Sequence, residues 1–195
     1  MNQGRPREFD IDRALQCATQ QFWSAGYEAT SLADLLRVMK LSKSSLYQTF
    51  GSKEALFIRC LEYFQVTMAN DLLDKLHRTK SPRQFLADYL EGVIDEASKT
   101  VGRKGCLLVN TANELAQRNA SVSAAVTRGS QHMMKVFTAA LELAQERGEI
   151  RTTLPTEDLA RYYFSSVSGL RTMVKAGASR ADLEPIAKLI MDTLQ

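Results

Sequence analysis

Between Ser42 and Phe50 the sequence reads Ser-Lys-Ser-Ser-Leu-Tyr-Gln-Thr-Phe, a run that divides by chemistry as well as by position. On a helix, Leu46 and Phe50 lie four residues apart and share one face, while Lys43, Ser44, Tyr47 and Gln48 project from the other. Ser42 is a good N-cap for such a helix, and Ser45 and Thr49 complete its polar set. Hydroxyl, amide and ammonium donors are the groups that read base edges and grip phosphates. A short helix that opens with them and is anchored from behind by apolar residues fits the ~12 Å major groove of duplex DNA. The Tyr47 hydroxyl can donate to a phosphate while its ring lies along the sugar backbone. Lys53 falls in the first turn of the next helix, where backbone N–H groups and the positive dipole end favour a phosphate. Thr30 and Ser31 offer the same chemistry at the start of the preceding helix. Together these residues would clamp both sides of one groove.

The elements that must hold this run are legible in the spacing. Met1 to Glu8 contains Gly4, Arg5, Pro6 and Arg7 without apolar periodicity and reads as a basic arm, with Arg5 a further candidate for DNA contact. Ile11, Leu15, Ala18 and Phe22 mark a first helix that Gly26 stops. Ser31 with Asp34 three residues on resembles a capping box and opens a second helix carrying Leu32, Leu35, Leu36 and Met39. A tight Lys40-Leu41 turn leads into the Ser42–Phe50 helix, and Gly51 breaks it. Ser52 caps a long fourth helix with Leu56, Cys60, Tyr63, Phe64 and Met68, running to about His77. Further helices follow from Pro82, from Cys106 to about Arg118, from Ser121 to Arg147, from Pro155-Thr156 to Lys175 and from Asp182 to Leu194. Gly102 and Gly105 interrupt between the first two of these, and no internal repeat is found. The predicted fold class is all-α.

The stretch from Gly26-Tyr27 to Phe57, including Thr30-Ser31-Leu32-Ala33-Asp34 and Ser42 through Phe57, resembles the DNA-binding domain of the TetR family. The resemblance implies an N-terminal helix-turn-helix domain over 1–52 and a helical ligand-binding and dimerisation domain over 53–195. It implies a homodimer assembled through the last two long helices, with double-stranded operator DNA and a small-molecule inducer as partners. The function it implies is repression at a palindromic operator, relieved when the inducer binds. Two positions depart from the family pattern. Lys40 stands where glycine is common in the turn, so it either adopts a left-handed conformation or lets the turn close differently. Thr49 stands where histidine often precedes the last phenylalanine of the reading helix.

Cys106 follows two cations in Gly102-Arg103-Lys104-Gly105-Cys106-Leu107-Leu108, at an expected helix start. Both features favour thiolate over thiol. The Gly-Cys-Leu segment resembles a branch of the family that includes sensors of electrophiles and oxidants. In that branch a lysine near the end of the eighth helix partners the cysteine, and Lys175 matches by position. The alternative is a packed helix terminus, since cysteine is among the most buried residue types. Cys17 and Cys60 fall on expected apolar faces and read as inert core. For a reversible ligand the expected lining comes from the central helices: Tyr89, Val93, Asn110, Asn113, Met133, Phe137 and Tyr163, beside Cys106. A mainly apolar cavity with a few polar groups suits a small organic molecule.

Composition narrows the classes further. With 45% hydrophobic and 24% charged residues among 195, the chain is an ordinary globular one. The net charge of +3 fits nucleic-acid contact without demanding it. Within residues 1–60, eight Lys/Arg face six acids, so placement rather than charge density has to identify a DNA partner. No apolar stretch reaches the ~18–20 residues of a membrane span, and no signal peptide is read, so the expected location is cytoplasmic. Three widely separated cysteines and two histidines suit neither a disulfide framework nor a zinc site, and no metal or other cofactor is expected. No phosphate loop or nucleophile–base motif supports an enzyme, and Asp88, Glu91, Asp95 and Glu96 are spaced like a solvated helix face. A helical adaptor that binds no DNA, with Leu46, Tyr47 and Phe50 as plain core, is the remaining rival.

Overall fold

The computed structural model describes residues 10–99, 103–152 and 154–194, which form helices and turns and no strand. This is the all-α architecture that the apolar spacing predicts. The chain divides into two compact units, one ending at Phe64 and the other beginning at Gln65. The division falls about three turns past the boundary read at 52/53. Its cause is packing: Leu56, Phe57, Cys60 and Leu61 on the fourth helix are all buried, so this part of the helix belongs to the first core.

In the first unit, α1 (Ile11–Ala25) begins where Asp10 accepts the Arg13 backbone N–H at 3.0 Å and ends at Gly26. Ile11, its first residue, is exposed, and the buried stripe runs through Leu15, Ala18 and Phe22. α2 (Leu32–Met39) opens with the reciprocal capping box of Ser31 and Asp34. Lys40 then takes φ 55° and ψ 41°, so of the two possibilities for this turn the left-handed one holds. The Leu41 N–H donates to the Leu36 carbonyl at 3.1 Å, which closes the turn. α3 (Lys43–Phe50) starts with the Ser42 hydroxyl accepting the Ser45 N–H at 3.1 Å. α4 (Lys53–Arg78) starts with the Ser52 hydroxyl accepting the Ala55 N–H at 3.0 Å. Phe22 meets Phe57 edge-on at 4.8 Å, and Tyr27 tilts against Phe57 at 4.9 Å.

The second unit contains the rest of α4, α5 (Pro82–Asp95), α6 (Leu107–Thr111), α7 (Ala120–Glu146), α8 (Thr156–Lys175) and α9 (Arg180–Asp192). A 3-10 turn, Glu96–Ser98, extends α5. The continuous helix expected from Cys106 to Arg118 is instead α6 followed by a π turn, Ala112–Ala116. The last helix begins two residues earlier than expected, because Ser179 is its N-cap and Asp182 is the reciprocal partner in the box. Phe85, Leu86, Val93, Val136, Phe137, Tyr163, Val167 and Leu170 form the centre of the core. Two glycines mark close approaches. A Cβ on Gly129 would lie 2.2 Å from the side chain of Gln65, which is buried and donates to the Ala125 carbonyl at 3.0 Å. A Cβ on Gly105 would lie 3.1 Å from Lys175 Cδ, and its φ of 70° favours glycine as well.

The left-handed Lys40 generates a stability prediction. An L-residue in that region costs roughly 1–2 kcal/mol, and glycine gives back about 0.5–1 kcal/mol through its greater freedom in the unfolded chain. Lys40→Gly therefore stabilises the protein by about 0.5–1 kcal/mol. Urea denaturation checks this as a higher midpoint at unchanged slope; an unchanged or lower midpoint refutes it.

Candidate nucleic-acid interface and ligand cavity

On α3, Leu46 is fully buried and Phe50 nearly so, while Lys43, Ser44, Tyr47 and Gln48 are exposed. The helix thus presents the polar front and apolar back that the sequence predicts. Tyr47 is 43% exposed, which leaves its hydroxyl accessible to a backbone phosphate. Ser45 and Thr49 are half-buried on the flanks. Behind the helix, the Arg59 guanidinium lies 5.0 Å from the centre of the Phe50 ring and covers it.

The hydroxyls at the helix starts are already committed. Thr30 is fully buried and donates to the Gly26 carbonyl at 2.6 Å, so its side chain ties the chain between α1 and α2 instead of facing a phosphate. Ser31 donates to Asp34 Oδ2 at 2.6 Å and accepts the Asp34 N–H. That bond, with Arg37 beside it, holds the Asp34 carboxyl below the usual carboxylate range. Ser42 caps α3 and shares a hydrogen bond with the Ser45 hydroxyl at 2.9 Å. Lys53 is half-buried, with its ammonium 4.3 Å from the centre of the Tyr27 ring. The ring holds this cation at the first turn of α4. Burial, and then the charges of Glu54 and Glu28, raise the Tyr27 pKa, so the phenol stays neutral. Arg5 lies outside the described residues.

The second unit contains a cavity of about 430 Å³ lined by Met68, Leu72, Lys75, Phe85, Tyr89, Gly92, Glu96 and Arg171, with Thr79 and Asp88 also on its wall. Of the lining expected from sequence, Tyr89 alone is among these residues. Val93, Met133, Phe137 and Tyr163 are buried in the core. Phe137 packs edge-on against Tyr89 at 5.3 Å and Tyr163 at 4.9 Å, and the Tyr163 hydroxyl donates to the Leu86 carbonyl at 2.6 Å. Asn113, on the π turn, is exposed. Asn110 donates to the Lys104 carbonyl at 2.7 Å and accepts from Lys175 Nζ at 3.0 Å.

The cavity's polar end was not read from sequence. Arg171 Nη1 bonds both Glu96 carboxylate oxygens, at 2.9 and 3.2 Å, and only 13% of the Arg171 side chain is exposed. The guanidinium also lies 5.8 Å from the Tyr89 ring centre. Burial works against its charge, but Tyr89 and Glu96 outweigh that and raise its pKa. One signal for this residue was present: Arg171 interrupts the apolar stripe of Val167, Leu170 and Val174 on α8, and a charge on a buried stripe requires a partner.

Cys106 is half-buried at the start of α6, in the neighbourhood of Arg171 and Tyr89. Lys175 packs along Gly105 but gives its ammonium to Asn110. Cys60 is the inert thiol expected, because burial pushes it up to about 12. Cys17 is half-buried, more accessible than a core position. Among the described residues no cluster of His, Cys, Asp and Glu could hold a metal, and no helix is long and apolar enough to cross a membrane.

Comparison with known proteins agrees with this geometry. Residues 14–60 match the model of bacterial regulatory proteins of the tetR family, and residues 82–190 match the tetracyclin repressor-like C-terminal domain. The HTH-type transcriptional repressor ComR of Escherichia coli (strain K12) is 33% identical over 189 residues, 95% of this chain and 89% of its own. A cysteine-substituted TetR family transcriptional regulator CifR, solved in complex with a 26-base-pair double-strand operator DNA, superposes with a TM-score of 0.82. It shares 29% identity and covers 98% of this chain and 100% of its own. Reduced E. coli NemR shares the fold, with a TM-score of 0.83 at 22% identity over 93% of this chain and 95% of its own. With both its helix-turn-helix and its C-terminal domain matched, this chain belongs to the TetR family of transcriptional regulators.

Proposed function

We propose that the protein is a homodimeric cytoplasmic repressor, not an enzyme, that lays α3 in successive major grooves of a palindromic operator and is released by a small-molecule inducer bound in its second unit. The carrying observation is the two-sided α3, with Leu46 and Phe50 buried and Lys43, Ser44, Tyr47 and Gln48 exposed. In this reading Lys43, Ser44 and Gln48 face base edges, Tyr47 and Lys53 take phosphates, and Arg5 reaches the duplex from the N-terminal arm. Ser31, Ser42, Ser45 and Thr49 support the contact from the helix starts and flanks, and main-chain N–H groups there act on phosphate in place of the committed hydroxyls.

A dimer through α8 and α9 is supported by what those helices expose. Tyr162, Ser165, Gly169 and Thr172 lie along one face of α8, and Leu189 on α9 is 63% exposed. The hydroxyls of Ser165, Ser168 and Thr172 donate to carbonyls of α8 itself, and Thr193 donates to Leu189. These residues are uncharged and the hydroxyls of Ser165, Ser168, Thr172 and Thr193 have their donors satisfied, so they can be covered without leaving those donors unpaired. Half-sites one helical turn apart need reading heads ~34–36 Å apart, and an inducer acts by favouring a dimer with another spacing.

A second reading is thiol sensing through Cys106, favoured by its partial exposure beside Arg171 and the Gly105–Lys175 contact.

Selection of duplexes from a random pool tests the main reading: a palindromic winner is expected, and a protein that ignores duplex DNA even in dilute buffer overturns it. Lys53→Ala weakens binding similarly across operator sequences and lowers the salt slope by about one unit. Gln48→Ala or Ser44→Ala changes which base pairs are preferred, which repeat selection reads out. Leu189→Arg places a charge on the proposed interface and shifts the protein to monomer in sedimentation, with loss of operator affinity; a persistent dimer refutes that interface. N-ethylmaleimide applied to a Cys17→Ser variant lowers operator affinity at least about ten-fold, a change of 1.4 kcal/mol, if Cys106 is the sensor. Unchanged affinity after complete modification eliminates the thiol reading.

A further inference from the structure

The cavity walls and its polar end together select a class of ligand, an inference that rests on the inducer reading above. Met68, Leu72, Phe85 and Tyr89 supply apolar and aromatic walls, and a volume of about 430 Å³ lies within the range of small-molecule sites. Of the charged residues on the wall, Lys75 and Asp88 are exposed to solvent. Lys75 pairs with Asp71 at 3.3 Å and Asp88 accepts from Gln84 at 2.8 Å. Deeper in, Arg171 and Glu96 neutralise each other.

This charge balance excludes two classes of ligand and disfavours a third. An anion placed against Arg171 would have to share the guanidinium with Glu96 and meet its carboxylate, and a cation placed against Glu96 would meet Arg171. Pairing one buried charge at the expense of another is costly. A pure hydrocarbon would fill the cavity but strip water from Arg171 and Glu96 without replacing its hydrogen bonds. A guanidinium carries five N–H donors, more than Glu96, bonded through Nη1, and the Tyr89 hydroxyl take up. What suits it is a neutral acceptor.

We propose that this cavity binds a neutral, mainly apolar organic molecule carrying a carbonyl-type oxygen, which accepts a hydrogen bond from Arg171 while its hydrocarbon part packs on Met68, Leu72, Phe85 and Tyr89. Gly92 provides a way to close the site without disturbing the core, because a Cβ there would meet nothing within 4 Å.

The test is calorimetric titration of the full-length protein with three probes of similar shape: acetophenone, benzoate and ethylbenzene. Acetophenone is expected to bind at least about ten-fold more tightly than either of the others. Arg171→Met keeps the bulk of the side chain and is expected to bring acetophenone within about two-fold of ethylbenzene. A double variant, Arg171→Met with Glu96→Gln, serves the same purpose should the lone carboxylate prevent folding. Gly92→Leu is expected to abolish binding of acetophenone while the thermal unfolding midpoint is kept. Preference for benzoate, equal binding of ethylbenzene, no binding of any probe, or undiminished acetophenone binding in Gly92→Leu each overturns the proposal. Operator binding by the unliganded protein, measured in parallel, keeps the two readings apart. A protein that grips its duplex but takes none of the probes loses the ligand class and keeps the regulator reading. One that binds acetophenone through Arg171 without loosening its grip on the duplex keeps the site and loses its role in induction.

Discussion

An eight-residue helix cannot stand alone in water, because nucleation costs more than so few hydrogen bonds return. α3 exists because Leu46 and Phe50 are buried, which stabilises it by about 1.5–3 kcal/mol per side chain, and because Ser42 caps its first turn. The same burial leaves the opposite face free to be polar. Those two residues therefore determine the helix and its chemistry together. The turn before it is equally constrained: α2 and α3 are separated by only three residues, and that distance is bridged with Lys40 in the left-handed region. Stability is given up there for the approach of the two helices.

The second unit handles polarity in the opposite way. Its core is nearly all apolar, yet one guanidinium and one carboxylate are held at the edge of a cavity, far apart in sequence and largely out of solvent. Hydrophobic residues of matching shape would usually be at least as stable as a buried ion pair. A pair kept at such a position beside open volume is what a site selecting for hydrogen bonding requires, since it penalises any occupant that offers Arg171 no acceptor.

Local signals carried most of the fold. Caps at Ser31, Ser42 and Ser52, stops at Gly26 and Gly51, and four-residue apolar spacing all act within one or two turns, and the helices lie where those signals put them. Misreadings arose where a residue's role depends on something distant. Thr30 looks like a phosphate donor at a helix start, but its hydroxyl turns back to Gly26 in a buried corner. Asn113 lies on the side of its segment opposite Leu107, Thr111 and Leu115, which are buried, and so it is exposed. Val93, Phe137 and Tyr163 have the size and apolarity of a cavity wall and fill the core instead, a choice that only packing makes. The Arg171–Glu96 pair spans 75 positions, beyond the reach of any local spacing rule.

The placement of α4 residues bears on how occupancy could reach DNA. Lys53 opens this helix in the first unit, and Met68, Leu72 and Lys75 on the same helix line the cavity in the second. At its entry into the second unit, Gln65 is locked to α7 by its bond to the Ala125 carbonyl, in the gap left by Gly129. That lock fixes the registry of α4 against α7, because any other side chain on Gly129 would evict the amide. A ligand seated against Met68 and Leu72 gains differential affinity only if it favours another position of this segment. A well-packed lock of this kind admits discrete alternatives more readily than gradual drift. Control of the reading helices is therefore best sought in the short stretch from Gln65 to Leu72, where the lock and the apolar wall of the cavity share two turns of one helix.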